Sequence, residues 1–223
     1  MEFCLNNEKL CVRVSSLGAE LRSVRGADGT EYLWQGDERF WRGRATNIFP
    51  YVGRLTEDSY LWRGARYKMG RHGFARGSEF TAEAATDTRL VLSLRAGEAT
   101  RESYPFDFKF SLIYELSGDT LRQTYRVENR GEGDMPFGLG GHPGFNVPMN
   151  EDVPFTDYYL EFDCEKPAKA IVMSPTCYTT RDTEDFPLEG GTTLPLRHNL
   201  FDNDAIVLQD MCKAVTLKSR TGK

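Results

Sequence analysis

Phe108-Lys109-Phe110-Ser111-Leu112-Ile113-Tyr114-Glu115-Leu116-Ser117-Gly118-Asp119 decides the fold class of this chain. Every second residue from Phe108 to Leu116 is apolar. Asp107, Lys109, Ser111 and Glu115 fall between them, and Ile113 is the exception. Ser117-Gly118-Asp119 then supplies a turn, and the return segment sets Leu121, Tyr125 and Val127 against Arg122, Thr124, Arg126 and Glu128, with Gln123 interrupting its apolar side. Side chains alternate across a strand, so this pattern predicts a β-hairpin with one buried face. Working outward, Lys9–Val14, Ala19–Val24 and Arg89–Leu94 read as further strands, punctuated by turns containing Gly, Asp and Asn. Gly36–Trp41 is the best helical candidate, good for a turn or two. Many strands with almost no helix predict an all-β sandwich or barrel.

The 223 residues suffice for one sizeable core, and no linker divides them, so residues 1–223 read as a single domain. Acidic and basic residues are interspersed with a net charge of −5, which lacks the basic stripe of a nucleic-acid-binding surface. No apolar run has the length of a membrane span, and the first residues carry neither the basic nor the apolar segment of a signal peptide. Five cysteines, Cys4, Cys11, Cys164, Cys177 and Cys212, are odd in number and form no C-x-x-C pair. That argues against a disulfide framework and a structural zinc site, and makes a reducing cytoplasm the expected compartment.

Two of the three histidines sit in settings that mount a functional residue. His142 lies in Gly138-Leu139-Gly140-Gly141-His142-Pro143-Gly144-Phe145, where four glycines allow positive φ or close approach of a ligand and Pro143 fixes the chain. An imidazole there can exchange protons near neutral pH. His72 lies in Arg71-His72-Gly73-Phe74-Ala75-Arg76. The glycine cluster does not have the spacing of a dinucleotide-binding loop, and a proline rather than a helix follows it. The third histidine, His198, reads as structural.

These two motifs, together with Asn47-Ile48-Phe49-Pro50-Tyr51-Val52-Gly53-Arg54-Leu55 and Leu200-Phe201-Asp202-Asn203-Asp204-Ala205-Ile206-Val207-Leu208, resemble the aldose 1-epimerase (galactose mutarotase) family, the last motif in its bacterial branch. The order and spacing match along essentially the whole chain. The resemblance implies the large antiparallel β-sandwich of mutarotases, the galactose mutarotase-like supersandwich. It also implies a monosaccharide substrate, a hexose, whose α and β anomers are exchanged by acid–base ring opening without cofactor or metal. Nucleic acid and membrane are not implied as partners, and oligomeric state is left open.

By the same resemblance His142 is the general acid at the ring oxygen, and His72 hydrogen-bonds nearby and stabilises developing charge. Arg54 and Asp204 match positions that hold sugar hydroxyls, for which a planar fork of donors and a pair of acceptors are suited. Arg71 and Arg76, if close in space, would keep His72 neutral. Each assignment has a plainer competitor: His142 as a turn residue, His72 as a satisfied half-buried histidine, Arg54 as a surface arginine, and Asp204 as part of an Asx turn in Asp202-Asn203-Asp204. Phe145 or Phe74 could stack on a sugar, but with 14 phenylalanines core packing is the default for both.

The family's general base is a glutamate near the C-terminus. The last glutamate here is Glu189, ahead of Asp204, so no residue matches the base. Ala214–Ser219 reads as a strand and Arg220-Thr221-Gly222-Lys223 as the start of a hairpin turn without its return. The expectation is a C-terminally incomplete sandwich with an open edge. A non-catalytic carbohydrate-binding homologue and a hexose-phosphate 1-epimerase are the alternative readings.

Overall fold

The structure is a computed structural model that describes residues 1–149, 151–163, 167–202, 204–211 and 213–221. It is almost entirely antiparallel β, as the alternation predicts. The chain divides into two compact units, Met1–Asn146 and Val147–Lys223. No shift in composition marks the boundary.

The first unit contains β1 (Glu2–Asn6), β2 (Leu10–Ser15), β3 (Leu21–Gly26), β4 (Ala45–Ile48), β5 (Ser59–Trp62), β6 (Ala65–Lys68), β7 (Thr81–Ala85) and β8 (Arg89–Arg95), then a single helical turn α1 (Glu98–Arg101), β9 (Phe108–Ser117), β10 (Thr120–Asn129) and β11 (Gly140–Pro143). One sheet has the order β1-β2-β3 and another β10-β9-β8-β7, while β4 pairs with β11 and β5 with β6. The two larger sheets share one core: Leu5, Val12 and Val14 from the first meet Leu90, Leu92, Phe108, Phe110, Leu112 and Tyr114 from the second. This is the expected sandwich arrangement, with apolar strand faces buried against each other.

The decisive hairpin folds as the alternation requires. β9 pairs with β10 in unbroken register from Phe108↔Asn129 to Ser117↔Thr120, and Phe108, Phe110, Leu112, Tyr114 and Leu116 are all buried. Gln123, which interrupts the apolar side of β10, has a structural reason to be polar. Its Nε2 donates to Asn47 Oδ1 and to the Tyr125 hydroxyl, both at 2.8 Å, and Tyr125 donates in turn to Asn47 Oδ1 at 3.0 Å. Fully buried Asn47 donates to the carbonyls of Gly18 and Ala19, each at 3.0 Å, and Tyr114 donates to Ala19 at 2.6 Å. Burying these amides and hydroxyls is tolerable because they satisfy one another.

Two expectations shift in detail. The strand predicted from Ala19 starts at Leu21, because Gly18 and Ala19 turn with φ of 68° and 48°. The segment 36–41 forms one turn without becoming a helix: the Asp37 carbonyl accepts from the amides of Phe40 and Trp41 at 3.0 and 2.9 Å, and Asp37 Oδ1 accepts from Arg39 N–H at 3.0 Å.

The second unit contains β12 (Tyr158–Phe162), β13 (Lys169–Met173), β14 (Thr179–Asp185), β15 (Thr193–Pro195), β16 (Leu208–Gln209) and β17 (Val215–Ser219), in sheets ordered β15-β12-β17 and β14-β13-β16. Val153, Tyr158 and Leu196 form its core, with Val147, Phe155, Leu160, Leu200 and Leu217 packed around them. The predicted strand at 214–219 is β17, paired with β12 and, among the described residues, at the edge of its sheet. Cys164, Asn203, Cys212, Gly222 and Lys223 lie outside the described residues.

Candidate functional site

His142 is carried by β11, opposite Thr46 of β4, and next to it Gly141 stands opposite Asn47. One part of the expectation drawn from sequence fails for the glycines around it. Gly138, Gly140, Gly141 and Gly144 do not take positive φ. They admit close neighbours: a Cβ on Gly141 would lie 2.7 Å from the Tyr125 hydroxyl, and one on Gly144 would lie 3.0 Å from both the Trp34 Cβ and the Trp41 ring. His142 is therefore an exposed strand residue rather than a turn residue. Asn47 of this strand pair belongs to the network with Gln123 and Tyr125.

His72 is half-buried and reaches the same place from a tight loop. It adopts φ of 65° and is followed by Gly73 at φ of 70°. A side chain at Gly73 would push the loop back, since a Cβ would lie 2.2 Å from the Phe49 carbonyl oxygen. That carbonyl is the anchor of the turn, accepting from the amides of Phe74 and Ala75 at 3.1 Å each. The left-handed conformation of a non-glycine residue costs about 1–2 kcal/mol, a strain that the surrounding hydrogen bonds must hold in place.

The backbone also fixes which nitrogen of His72 carries the proton. The Gly53 amide donates to His72 Nδ1 at 3.1 Å, and the His72 amide donates to the Gly53 carbonyl at 2.8 Å. With Nδ1 engaged as an acceptor, the neutral ring holds its hydrogen on Nε2 and presents a donor there. Burial, then the charges of Arg76, His142 and Arg71, lower the His72 pKa from its ordinary value. Arg71 and Arg76 thus act as the sequence suggested, although burial is the larger cause.

The imidazoles of His72 and His142 are 5.9 Å apart between centroids, inclined at 61°. Arg54 is half-buried one residue beyond Gly53, and with Glu57, Asp58, Lys68, Gly70 and Arg71 it lines a depression of about 620 Å³. A further cavity of about 500 Å³ is apolar and aromatic, lined by residues that include Tyr51, Tyr60, Trp62, Tyr104, Phe106 and Phe137. The phenols of Tyr60 and Tyr104 donate to the carbonyls of Ser103 and Pro136 at 2.9 and 2.8 Å.

Asp204 belongs to the second unit. It is exposed, takes φ of 76°, and its Oδ1 accepts from the Ala205 amide at 2.8 Å. His198, also in that unit, stacks on Phe155 at 4.9 Å. Of the two phenylalanines considered for stacking, Phe74 packs on Phe49, Tyr104 and Phe108 in the core, whereas Phe145 is 57% exposed. The ring that does lie beside His142 was not singled out from sequence: Trp41, at 4.9 Å and 55°.

The family model described as aldose 1-epimerase matches residues 1–221. Protein LacX (plasmid) of Lactococcus lactis subsp. lactis is 35% identical over 225 residues, covering 97% of this chain and 75% of that protein. Among solved structures, a galactose mutarotase related enzyme from Lactobacillus acidophilus aligns with a TM-score of 0.94 at 31% identity, covering 100% of this chain and 75% of that one. A galactose mutarotase-like protein from Lactobacillus casei aligns with a TM-score of 0.92 at 32% identity, covering 100% and 77%.

Proposed function

Because the chain belongs to the aldose 1-epimerase family, we propose that it interconverts the α and β anomers of a hexose by opening and reclosing the sugar ring. The observation that supports this most directly is the pair of imidazoles 5.9 Å apart, one of them held by the backbone as a neutral Nε2–H donor. Ring opening needs a proton delivered to the ring oxygen as the bond from C1 to that oxygen breaks, and a proton removed from the anomeric hydroxyl as C1 becomes an aldehyde. Rotation about C1–C2 and reversal of both transfers gives the other anomer, so atoms and protons balance.

In this reading His142 supplies the proton to the ring oxygen, and exposure on β11 keeps it accessible to substrate. His72 donates from Nε2 to an oxygen close by, a role that suits a histidine kept neutral. Arg54 offers its donor fork to vicinal hydroxyls. The acceptor of the anomeric proton is assigned to no residue of this chain. A positioned general acid contributes about 100- to 10,000-fold.

The test is polarimetry of pure α-glucose and α-galactose approaching anomeric equilibrium, with the hexose 6-phosphates assayed alongside. Replacement of His142 by Ala should remove most of the catalysed rate. An unchanged rate in His142→Ala overturns the acid assignment. Saturable sugar binding without any catalysed mutarotation would favour the binding homologue instead.

A further inference from the structure

We infer that Trp41 is the aromatic wall of the monosaccharide site and the residue that orients His142, an inference that rests on the reading of the site just given. The indole lies 4.9 Å from the His142 imidazole between ring centroids, close enough for the two rings to be in contact. That contact is built by several independent features. A Cβ at Gly43 would lie 2.5 Å from the Trp41 ring, and one at Gly144 would lie 3.0 Å from it, so the indole packs closely against the backbone at both glycines.

The loop around the indole is pinned at each end. The Asp37 carbonyl accepts the Trp41 amide at 2.9 Å, and Trp34 Nε1 donates to the Trp41 carbonyl at 2.7 Å. Gly144, two residues after His142, donates to the Arg44 carbonyl at 2.7 Å and accepts from the Trp34 amide at 3.0 Å. Glu20 Oε1 accepts the amides of Arg44 and Ala45 at 2.8 and 3.1 Å, tying the end of the loop to the start of β4. The loop and the histidine strand are therefore one hydrogen-bonded assembly.

A tryptophan held this firmly and still half exposed serves a ligand better than a core. Sugars present flat patches of C–H groups that pack on an aromatic face, while their hydroxyls seek donors such as His72 and Arg54. The indole supplies the apolar surface that those polar residues lack, which is the usual division of labour in a small-molecule site. The same ring blocks one side of His142, narrowing the imidazole to orientations that face the ligand.

The experiment compares Trp41→Phe and Trp41→Ala with wild type and with Phe40→Ala, whose ring is 77% exposed one residue earlier. Two readouts are taken with α-glucose and α-galactose: KM and kcat by polarimetry, and the sugar-induced change in tryptophan fluorescence. Trp41→Ala should raise KM by about 3- to 10-fold, the equivalent of one aromatic contact, and lower kcat as His142 loses its guide. Trp41→Phe should fall between Trp41→Ala and wild type in KM while abolishing the fluorescence change, and Phe40→Ala should behave as wild type. If Trp41→Ala does not fold, by far-UV circular dichroism, Trp41→Phe alone decides.

Unchanged KM and an undiminished fluorescence response in Trp41→Phe, in an enzyme that turns over sugar, overturn this inference and leave the proposed function standing. A wild-type protein that neither binds nor turns over either sugar, or their 6-phosphates, overturns both.

Discussion

Replacing Gly73 by Ala tests the geometry that holds His72, because the cost can be separated into two parts. The first is conformational: alanine at φ of 70° costs about 1–2 kcal/mol. The second is steric. The new Cβ would lie 2.2 Å from the Phe49 oxygen, 2.6 Å from its carbonyl carbon and 2.7 Å from Pro50 N, all of them backbone atoms. Carbon and oxygen approach comfortably only to about 3.3 Å, so the loop must retreat by about 1 Å, an overpacking cost of about 1–3 kcal/mol. Gly118→Ala isolates the first part, since Gly118 has φ of 57° and its Cβ would meet nothing within 4 Å. Urea denaturation followed by tryptophan fluorescence should find Gly73→Ala less stable than Gly118→Ala by about 1–3 kcal/mol. The displacement also pulls His72 from Gly53, and a misplacement of about 1 Å can cost about 100-fold in rate, so mutarotation should fall steeply in Gly73→Ala alone. Equal stability of the two variants would refute the close approach of Gly73 to the Phe49 carbonyl, and with it the account of how His72 is held.

His72 should titrate below about 6.5 by NMR, and Arg76→Gln should move it upward, because burial and Arg76 are the first two causes lowering it. Since the unfolded chain then binds that proton more readily, the contribution of His72 to stability is fully present above about pH 6.5. It is lost as pH falls through the folded value, and a His72 titration at or above its ordinary value contradicts the arrangement. Gln123→Leu restores the apolar alternation of β10 yet should destabilise by about 1–3 kcal/mol, because Asn47 Oδ1 and the Tyr125 hydroxyl lose a donor at 2.8 Å each. A more stable Gln123→Leu protein would show that the pattern, and not the network, governs that position.

The β9–β10 hairpin was legible because its chemistry is local: one face buried, one face wet, a turn of Ser117-Gly118-Asp119 between. Where the alternation failed, the cause was distant in sequence. Gln123 is polar because it meets Asn47, 76 residues earlier, and no period computed along one strand contains that partner. The late start of β3 has a similar origin. Ala19 is no turn signal, yet it is fully buried at φ of 48° beneath the hydroxyl of Tyr114, which donates to its carbonyl at 2.6 Å. Tertiary packing selected a small residue there and paid no heed to its local preference.

The site was legible to the extent that glycine marks it. Around His142 the glycines were read as freedom for the backbone or space for a ligand, and the first of these does not hold. Gly141 makes room for Tyr125 and Gly144 for Trp34 and Trp41, so these two glycines record the approach of protein side chains to the strand. Trp41 carries no such mark in its own sequence neighbourhood, where Gly36-Asp37-Glu38 suggests only a helix start. Its relevance arises from the pairing of β4 with β11, which brings the residues after the Trp41 loop against those after His142. The tautomer of His72 has the same character, since its determinant is a backbone amide 19 residues away that any residue except proline could supply. What Gly53 adds is φ of 90° with nothing near its missing Cβ. The glycine before Arg54 therefore serves His72 as much as Arg54, and the two motifs that looked separate in sequence are one loop pair, in which the first sets the protonation geometry of the second.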